Sequence, residues 1–202
     1  MKKTVLAAAA VVLLAGGASA ATFTLGSGSD DLNSVTLTSE GSTAVVTAYS
    51  DYNAGTTGLI NRHNNGWGVS YGAEEHFAAG GEALAFDFSP ITHRLLQAVI
   101  FEKGPEDETV DLYIDGVYAE TFTIPSDATD GPVDRSFETF SLSASGLRGE
   151  VFAFVATSPD SEGWRGIRMR EISVAAVPLP AGAGLLLTGF GLMALRKRRK
   201  KA

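Results

Sequence analysis

Residues 109–116 read Thr-Val-Asp-Leu-Tyr-Ile-Asp-Gly, and this stretch decides the fold class. Apolar and polar side chains alternate along it. Val110, Leu112 and Ile114 are spaced by two, which is the period of a β-strand with one buried face. The pair Asp115-Gly116 is typical of a two-residue hairpin turn, and another strand-like run follows it. The sequence therefore predicts two antiparallel strands joined by this turn.

The same period recurs on both sides of the hairpin. We predict further strands from alternation and from aromatic and β-branched residues, at 34–39, 83–89, 95–101, 137–143, 150–157 and 167–174. The apolar run 95–101 is typical of a central strand, and the charged residues of 167–174 are expected to face the solvent. Turn residues interrupt the strands about every ten positions, and no amphipathic helix or tandem repeat is found. These features predict an all-β domain, a single antiparallel sandwich of the jelly-roll type.

The N-terminus has the three parts of a secretory signal peptide. Two lysines precede an unbroken apolar run at residues 5–15, and Ala18-Ser19-Ala20 supplies the small residues that signal peptidase requires. At ~1.5 Å per residue, this run is too short to cross a hydrocarbon core of about 30 Å. We therefore predict cleavage between Ala20 and Ala21 rather than a retained membrane helix.

The C-terminus also has three parts. The motif Val177-Pro178-Leu179-Pro180-Ala181 precedes an uncharged Gly- and Leu-rich stretch that ends at Leu195, and six basic residues follow at 196–201. Because proline does not fit inside a helix, we expect a transmembrane helix to begin near Ala181. Its length of about 22 Å is short for a span, and the Arg and Lys stems can reach the headgroups. Six adjacent positive charges resist translocation, so this end is expected in the cytoplasm and residues 21–176 outside.

This C-terminal arrangement resembles the VPLPA-CTERM sorting domain, a variant of the PEP-CTERM signal of Gram-negative bacteria. The resemblance covers residues 177–202, and a signal peptide at the other end of the chain accompanies it. It implies recognition by an exosortase-like transpeptidase that cuts near the motif and releases the domain or transfers it to a surface acceptor. The tail would then be an address that is removed. The alternative is a permanent single-pass anchor.

The middle of the chain is loosely similar to domains that often precede such tails. The similarity rests on short segments: Gly58-Leu-Ile-Asn61, Gly66-Trp-Gly-Val69, Glu82-Ala-Leu-Ala-Phe-Asp-Phe88 and Asp111-Leu-Tyr-Ile-Asp-Gly116. Those domains are jelly-roll β-sandwiches of mostly unknown function. The similarity therefore implies a fold and not an activity.

The predicted mature domain, residues 21–176, is strongly acidic. It contains all 23 acidic residues and only eight of the 16 basic ones, which gives a net charge of −15. Such a surface repels nucleic acid and anionic lipid. The chain has no cysteine, which excludes disulfides, thiol catalysis and thiolate metal sites. The domain must therefore be stabilised by its core, or by its core and bound ions.

No catalytic motif is present. His63, His76 and His93 occur in no metalloprotease pattern, and no serine lies in a nucleophile elbow. We therefore predict no enzymatic activity, no cofactor and no assignable metal ligand. A structural Ca²⁺ remains open, because acidic residues occur in predicted loops, although none has EF-hand spacing. These residues are Asp30-Asp31, Glu74-Glu75 (followed by His76), Glu106-Asp107-Glu108, and Asp127 with Asp130.

One candidate ligand site lies in a predicted Gly-rich loop at residues 61–68. It combines amides, a guanidinium and an indole in Asn61, Arg62, Asn64, Asn65 and Trp67. Sugars stack on aromatic rings and pair with amides, so a carbohydrate site is one interpretation. A loop packed by its own side chains is the other. Further aromatic residues are expected nearby, namely Tyr49, Tyr52, Tyr71 and Trp164.

Two functional hypotheses follow. The first is a structural or interaction component of the cell surface or extracellular matrix, inner-membrane-anchored as a precursor, with signal peptidase and an exosortase-like enzyme as partners. The second is a carbohydrate-binding module of the cell surface, with a polysaccharide as partner. Nucleic acid is not an expected partner in either case.

Overall fold

The computed structural model describes residues 20–28, 32–70, 81–89, 93–104, 107–127, 136–157 and 168–177. They belong to one compact unit, Ser19–Val177. The predicted signal peptide up to residue 19, and the tail from residue 178 with most of the sorting motif, lie outside the described residues. The described part of the chain contains no helix with the length and hydrophobicity needed to cross a membrane.

The prediction of an all-β domain is confirmed, since the described residues form strands and no helix. The strands are β1 Ala20–Thr24, β2 Ser34–Ser39, β3 Ser42–Asp51, β4 Thr56–Thr57, β5 Leu59–His63, β6 Gly66–Ser70, β7 Ala83–Asp87, β8 Arg94–Glu102, β9 Glu108–Ile114, β10 Val117–Ile124, β11 Phe137–Ser141, β12 Arg148–Gly149, β13 Val151–Ala156 and β14 Arg168–Ala176.

The strands form two antiparallel sheets. The first sheet has the order β11-β8-β14-β6-β5, with β1 also paired to β14 and β12 to β8. The second sheet has the order β10-β9-β13-β7-β3-β2, with β4 paired to the end of β3. The apolar run 95–101 lies within β8, which has β14 on one side and β11 and β12 on the other, so its predicted central position is confirmed.

The core lies between the two sheets and is rich in phenylalanine. Phe101 of β8 contacts Phe122 of β10 and Phe154 of β13, with ring centroids 6.2 and 6.0 Å apart. Phe23 of β1 contacts Phe88, which follows β7, at 5.6 Å. These contacts join residues of the first sheet to residues of the second, as in a β-sandwich. The alternation that predicted the strands is thus the alternation between core and surface.

The Asp115-Gly116 turn forms as predicted between β9 and β10. Both residues have positive φ angles, 51° and 80°, which a two-residue turn of type I′ requires. The Asp115 side chain also stabilises the neighbouring strand, because its Oδ1 accepts hydrogen bonds from the backbone N–H groups of Glu150 and Val151, each at 2.9 Å.

Three local expectations are wrong. The predicted loop 61–68 is the β5–β6 hairpin, with strand residues on both sides of Asn64 and Asn65. Arg168 was expected to face the solvent, but it is 2% exposed. Glu108 was placed in an acidic loop, whereas it begins β9 and is buried. The hairpin and Arg168 are held by contacts with distant parts of the chain, which a local sequence pattern does not reveal.

Candidate functional site

The β5–β6 hairpin holds the five residues of the predicted ligand site. Trp67 is 4% exposed and belongs to the hydrophobic core. Its indole Nε1–H donates a hydrogen bond to the carbonyl of Gly26 at 2.6 Å. The Arg62 guanidinium lies over the indole ring, 4.8 Å from its centroid. The indole is therefore enclosed by the protein itself and presents almost no surface on which a sugar could stack.

The turn of this hairpin is also held by the rest of the domain. The Arg170 guanidinium donates to the carbonyl oxygen of Asn64. The Asn65 amide Nδ2 donates to Glu102 Oε1 at 3.1 Å. Gly66 has a φ of 140°, and a Cβ at this position would collide with the backbone of Met169. The turn therefore requires glycine here, and the Asn65 amide and the Asn64 carbonyl serve internal contacts.

A buried ion pair lies next to this turn. Arg168 and Glu102 are cross-strand partners in β14 and β8, and their Nη1 and Oε2 atoms are 3.2 Å apart. The two side chains are 2% and 4% exposed. Together with Asn65 they form a polar network that joins β8, β14 and the β5–β6 hairpin. The structure thus assigns several residues of the predicted ligand site to structural contacts, and the hypothesis of a sugar site in this hairpin gains no support.

Two histidines and several acidic residues of the described part of the chain form hydrogen bonds or ion pairs with other residues of the domain. His93 Nδ1 lies 3.3 Å from Glu150 Oε1 at the surface, and His63 Nδ1 accepts a 3.4 Å hydrogen bond from the Asn65 backbone. The Asp107 carboxylate accepts from the Ser126 backbone at 2.7 Å, and Asp127 from the Ser136 hydroxyl at 2.7 Å. The Asp107 carboxylate thus joins the segment before β9 to the segment after β10, and Asp127 joins the segment after β10 to the start of β11.

Most of the acidic residues that were considered for Ca²⁺ lie outside the described part of the chain. Asp30-Asp31, Glu74-Glu75, His76, Glu106 and Asp130 lie outside the described residues, as do Tyr71 and Trp164. Among the residues that the structure describes, no group of three or more His, Cys, Asp or Glu side chains is arranged to hold a metal ion.

A second aromatic cluster, which the sequence did not reveal as a unit, lies on the second sheet. It consists of Tyr49 at the end of β3, Tyr52 in the following turn, Tyr113 near the end of β9 and Tyr118 at the start of β10, and we call it the tyrosine row. Successive ring centroids are 5.5, 5.5 and 6.0 Å apart. Tyr118 is 53% exposed, and the other three are partly buried.

The tyrosine row lies on the face of the second sheet that points away from the core. Tyr49 is the cross-strand partner of Ala83, and Tyr113 is the partner of Ala153. Cross-strand partners share a face of the sheet, and the core residues Leu84 and Phe154 point to the opposite one. Tyr52 contacts rings that come from β3 and from β9, with β7 and β13 between them. The small alanine side chains of these two strands leave room for a ring above them.

The close packing of the row affects its central ring. Partial burial, followed by the proximity of Tyr49 and Tyr113, raises the pKa of the Tyr52 phenol above its ordinary value. The raised pKa favours the neutral phenol of Tyr52 in the folded domain. Of the four tyrosines in the row, the sequence singles out only Tyr49 and Tyr52, and it predicts them near residues 61–68 rather than beside Tyr113.

Comparison with protein families and with curated proteins identifies no relative of this chain. Neither the models of known protein families nor the curated proteins contain a match to this chain.

Proposed function

We propose that this chain is an exported protein of the cell surface or extracellular matrix with a structural or interaction role. In this proposal a signal peptide directs export, and the VPLPA-type tail holds the precursor in the inner membrane. An exosortase-like transpeptidase then processes the tail. The molecule has no enzymatic activity and needs no cofactor in this role, and a structural Ca²⁺ remains open.

The observation that carries this proposal is that the strands next to the two expected processing sites, β1 and β14, pair with each other. β1 contains Ala20 and Ala21, the two residues of the expected signal-peptidase site, and β14 ends at Ala176, immediately before the sorting motif. The two strands are paired, with Ala20 opposite Ala175 and Ala21 opposite Val174. Cleavage after Ala20 would leave four of the five residues of β1 in this pairing. The pairing of β1 with β14 therefore supports a folded domain between the two proposed signals.

The sorting motif can be tested directly in a bacterium that contains an exosortase-like enzyme. Replacing Pro178 and Pro180 by Ala should leave an uncut precursor in the membrane fraction, because the two prolines hold the motif extended and outside the helix. Pro125→Ala is the matched control, since this proline is exposed and lies outside the motif. Immunoblots of membrane and released fractions, with mass spectrometry of the C-terminus, measure the outcome. Normal maturation of the double variant would favour the permanent anchor.

The finer topology is part of the same proposal. Between β6 and β9 the chain passes from one sheet to the other at each successive strand, and it does so again from β12 to β14. Such crossings between sheets are typical of Greek-key sandwiches and jelly rolls. We therefore retain the jelly roll as the proposed connectivity.

The second candidate function is a carbohydrate-binding module. The sequence indicated it through residues 61–68, but the observation that favours it in the structure is the tyrosine row. The tyrosine row, and not the β5–β6 hairpin, supplies partly exposed aromatic rings with polar neighbours. A binding role of this kind is compatible with the first candidate, because a matrix component can bind a polysaccharide.

A further inference from the structure

We propose that the tyrosine row is a binding platform for a neutral polysaccharide. The platform consists of Tyr49, Tyr52, Tyr113 and Tyr118 on the outward face of the second sheet. The proposal concerns the folded domain and does not depend on how the C-terminal tail is processed. The two can therefore succeed or fail separately.

The row is organised before any ligand binds. Its rings pack on one another at interplanar angles of 89°, 50° and 78°. At the exposed end, the Tyr118 hydroxyl is 2.9 Å from the Thr121 hydroxyl, which in turn donates to Asp111 Oδ1 at 2.5 Å. These contacts limit the rotamers of side chains that would otherwise be free at a surface. A ligand that binds here therefore loses little affinity to the ordering of the protein.

The chemistry of the row fits a sugar polymer. A sugar ring has an apolar C–H face and a rim of hydroxyl groups, and it needs an aromatic surface next to hydrogen-bonding groups. Tyr118 supplies the exposed ring, and Thr121 and Asp111 supply the oxygen atoms beside it. Because successive rings are 5.5–6.0 Å apart, the row extends beyond the size of a single sugar and suits a chain.

Charge determines which polymers are suitable. The expected mature domain has a net charge of −15, and Asp111 lies beside the exposed end of the row. Acidic polysaccharides, nucleic acids and anionic lipid surfaces would be repelled. A neutral polymer avoids this repulsion, and its hydroxyl groups can donate to the carboxylate.

The size of the row makes a protein partner less suitable. A stable protein interface buries about 800 Å² on each side. A fully buried aromatic side chain accounts for ~150–250 Å², so four free rings would only just reach that area. Three of the four are already partly buried by one another and by the sheet. The remaining surface is therefore too small for a stable dimer.

The test uses the full-length protein in detergent and measures retention on three probes: insoluble cellulose, dextran and the acidic polymer alginate. We expect retention on at least one of the neutral polymers and none on alginate. Tyr118→Ala should weaken retention roughly tenfold, which is the effect of losing one aromatic contact. Because Tyr118 is 53% exposed, this variant should keep the melting temperature of the wild type.

Two control variants make the result specific. Phe137→Ala removes another exposed aromatic ring, 41% exposed on the first sheet, and should bind like the wild type. Tyr118→Phe keeps the ring but loses the hydroxyl that contacts Thr121, and it should retain most of the binding. Absence of retention on both neutral polymers, preference for alginate, or equal loss in the Phe137 variant would each overturn the proposal. Self-association that Tyr118→Ala abolishes would overturn it too, by identifying a second copy as the occupant.

Discussion

Removing one partner of the Arg168–Glu102 pair should destabilise the domain more than any surface charge change. In the variant Arg168→Met the apolar volume is largely kept, but the buried Glu102 carboxylate loses a cation 3.2 Å away. At an effective dielectric constant of about 20, the lost attraction is about 5 kcal/mol. This agrees with the range of ~3–5 kcal/mol observed when a buried pair loses one member. Asn65 remains bonded to Glu102, so we expect the lower half of that range.

A neighbouring pair provides the matched control. Lys103 Nζ and Glu138 Oε2 are closer, at 2.9 Å, but their side chains are 20% and 32% exposed. Water and salt weaken such an attraction, and surface pairs contribute about 0–1 kcal/mol. Lys103→Met should therefore change the free energy of unfolding much less than Arg168→Met, although its pair is the shorter one. Burial, rather than distance, determines the difference.

The assay is equilibrium unfolding of residues 21–177 in urea, with the transition monitored by circular dichroism and by fluorescence. With a slope of roughly 2 kcal/mol per M, Arg168→Met should lower the midpoint by about 1.5–2 M. The double variant Arg168→Met with Glu102→Leu should recover most of the loss, because neither member of the pair then leaves its partner's charge buried and uncompensated. A single-variant cost below about 1 kcal/mol, or a double variant as unstable as the sum of both single variants, would contradict the reasoning.

Three further predictions concern the fold, the net charge and the alkaline stability of the domain. Residues 21–176 expressed alone should be soluble, with a circular dichroism spectrum dominated by β-structure; a helical spectrum would contradict the fold. Sodium, magnesium and calcium at equal ionic strength should raise the melting temperature to similar extents, because a net charge of −15 is relieved by screening; a gain with calcium alone, at low concentration and in high sodium, would instead indicate a specific site. The raised pKa of Tyr52 means that the folded state binds the phenolic proton more tightly than the unfolded state does. Stability from this group is therefore fully present below about pH 10 and is lost as the pH rises further. Tyr52→Phe should reduce this alkaline loss in thermal melts at a series of pH values, and an unchanged alkaline profile would contradict the assignment.

The strands that could be predicted from sequence are those with large apolar residues on one face. In β7 and the residue that follows it, Leu84, Phe86 and Phe88 repeat with period two, and all three are buried. The turn after β9 could be predicted because its conformation requires residues that tolerate positive φ, and Asp115-Gly116 meets that requirement locally. In both places the residues of the segment itself determine its conformation, so the local sequence is sufficient to predict it.

The elements that were missed have weak local signals. The inward side chains of β3 include Ala44 and Ala48, which are small and contribute little to an apolar pattern. The β5–β6 hairpin has Asn and Gly at its centre, a composition typical of loops. Its strand pairing depends on contacts with β14, such as the approach of the Met169 backbone to Gly66. Tertiary contacts determine the conformation here, so local propensity is misleading.

Arg168 and the tyrosine row show why a correct strand prediction still does not locate a site. Alternation indicates which residues of one strand share a face, but it does not indicate which other strand lies beside them or what covers that face. Arg168 is buried next to Glu102, 66 positions away in sequence. The row unites rings from residues 49 to 118 only because β7 and β13, which carry small alanines, lie between β3 and β9.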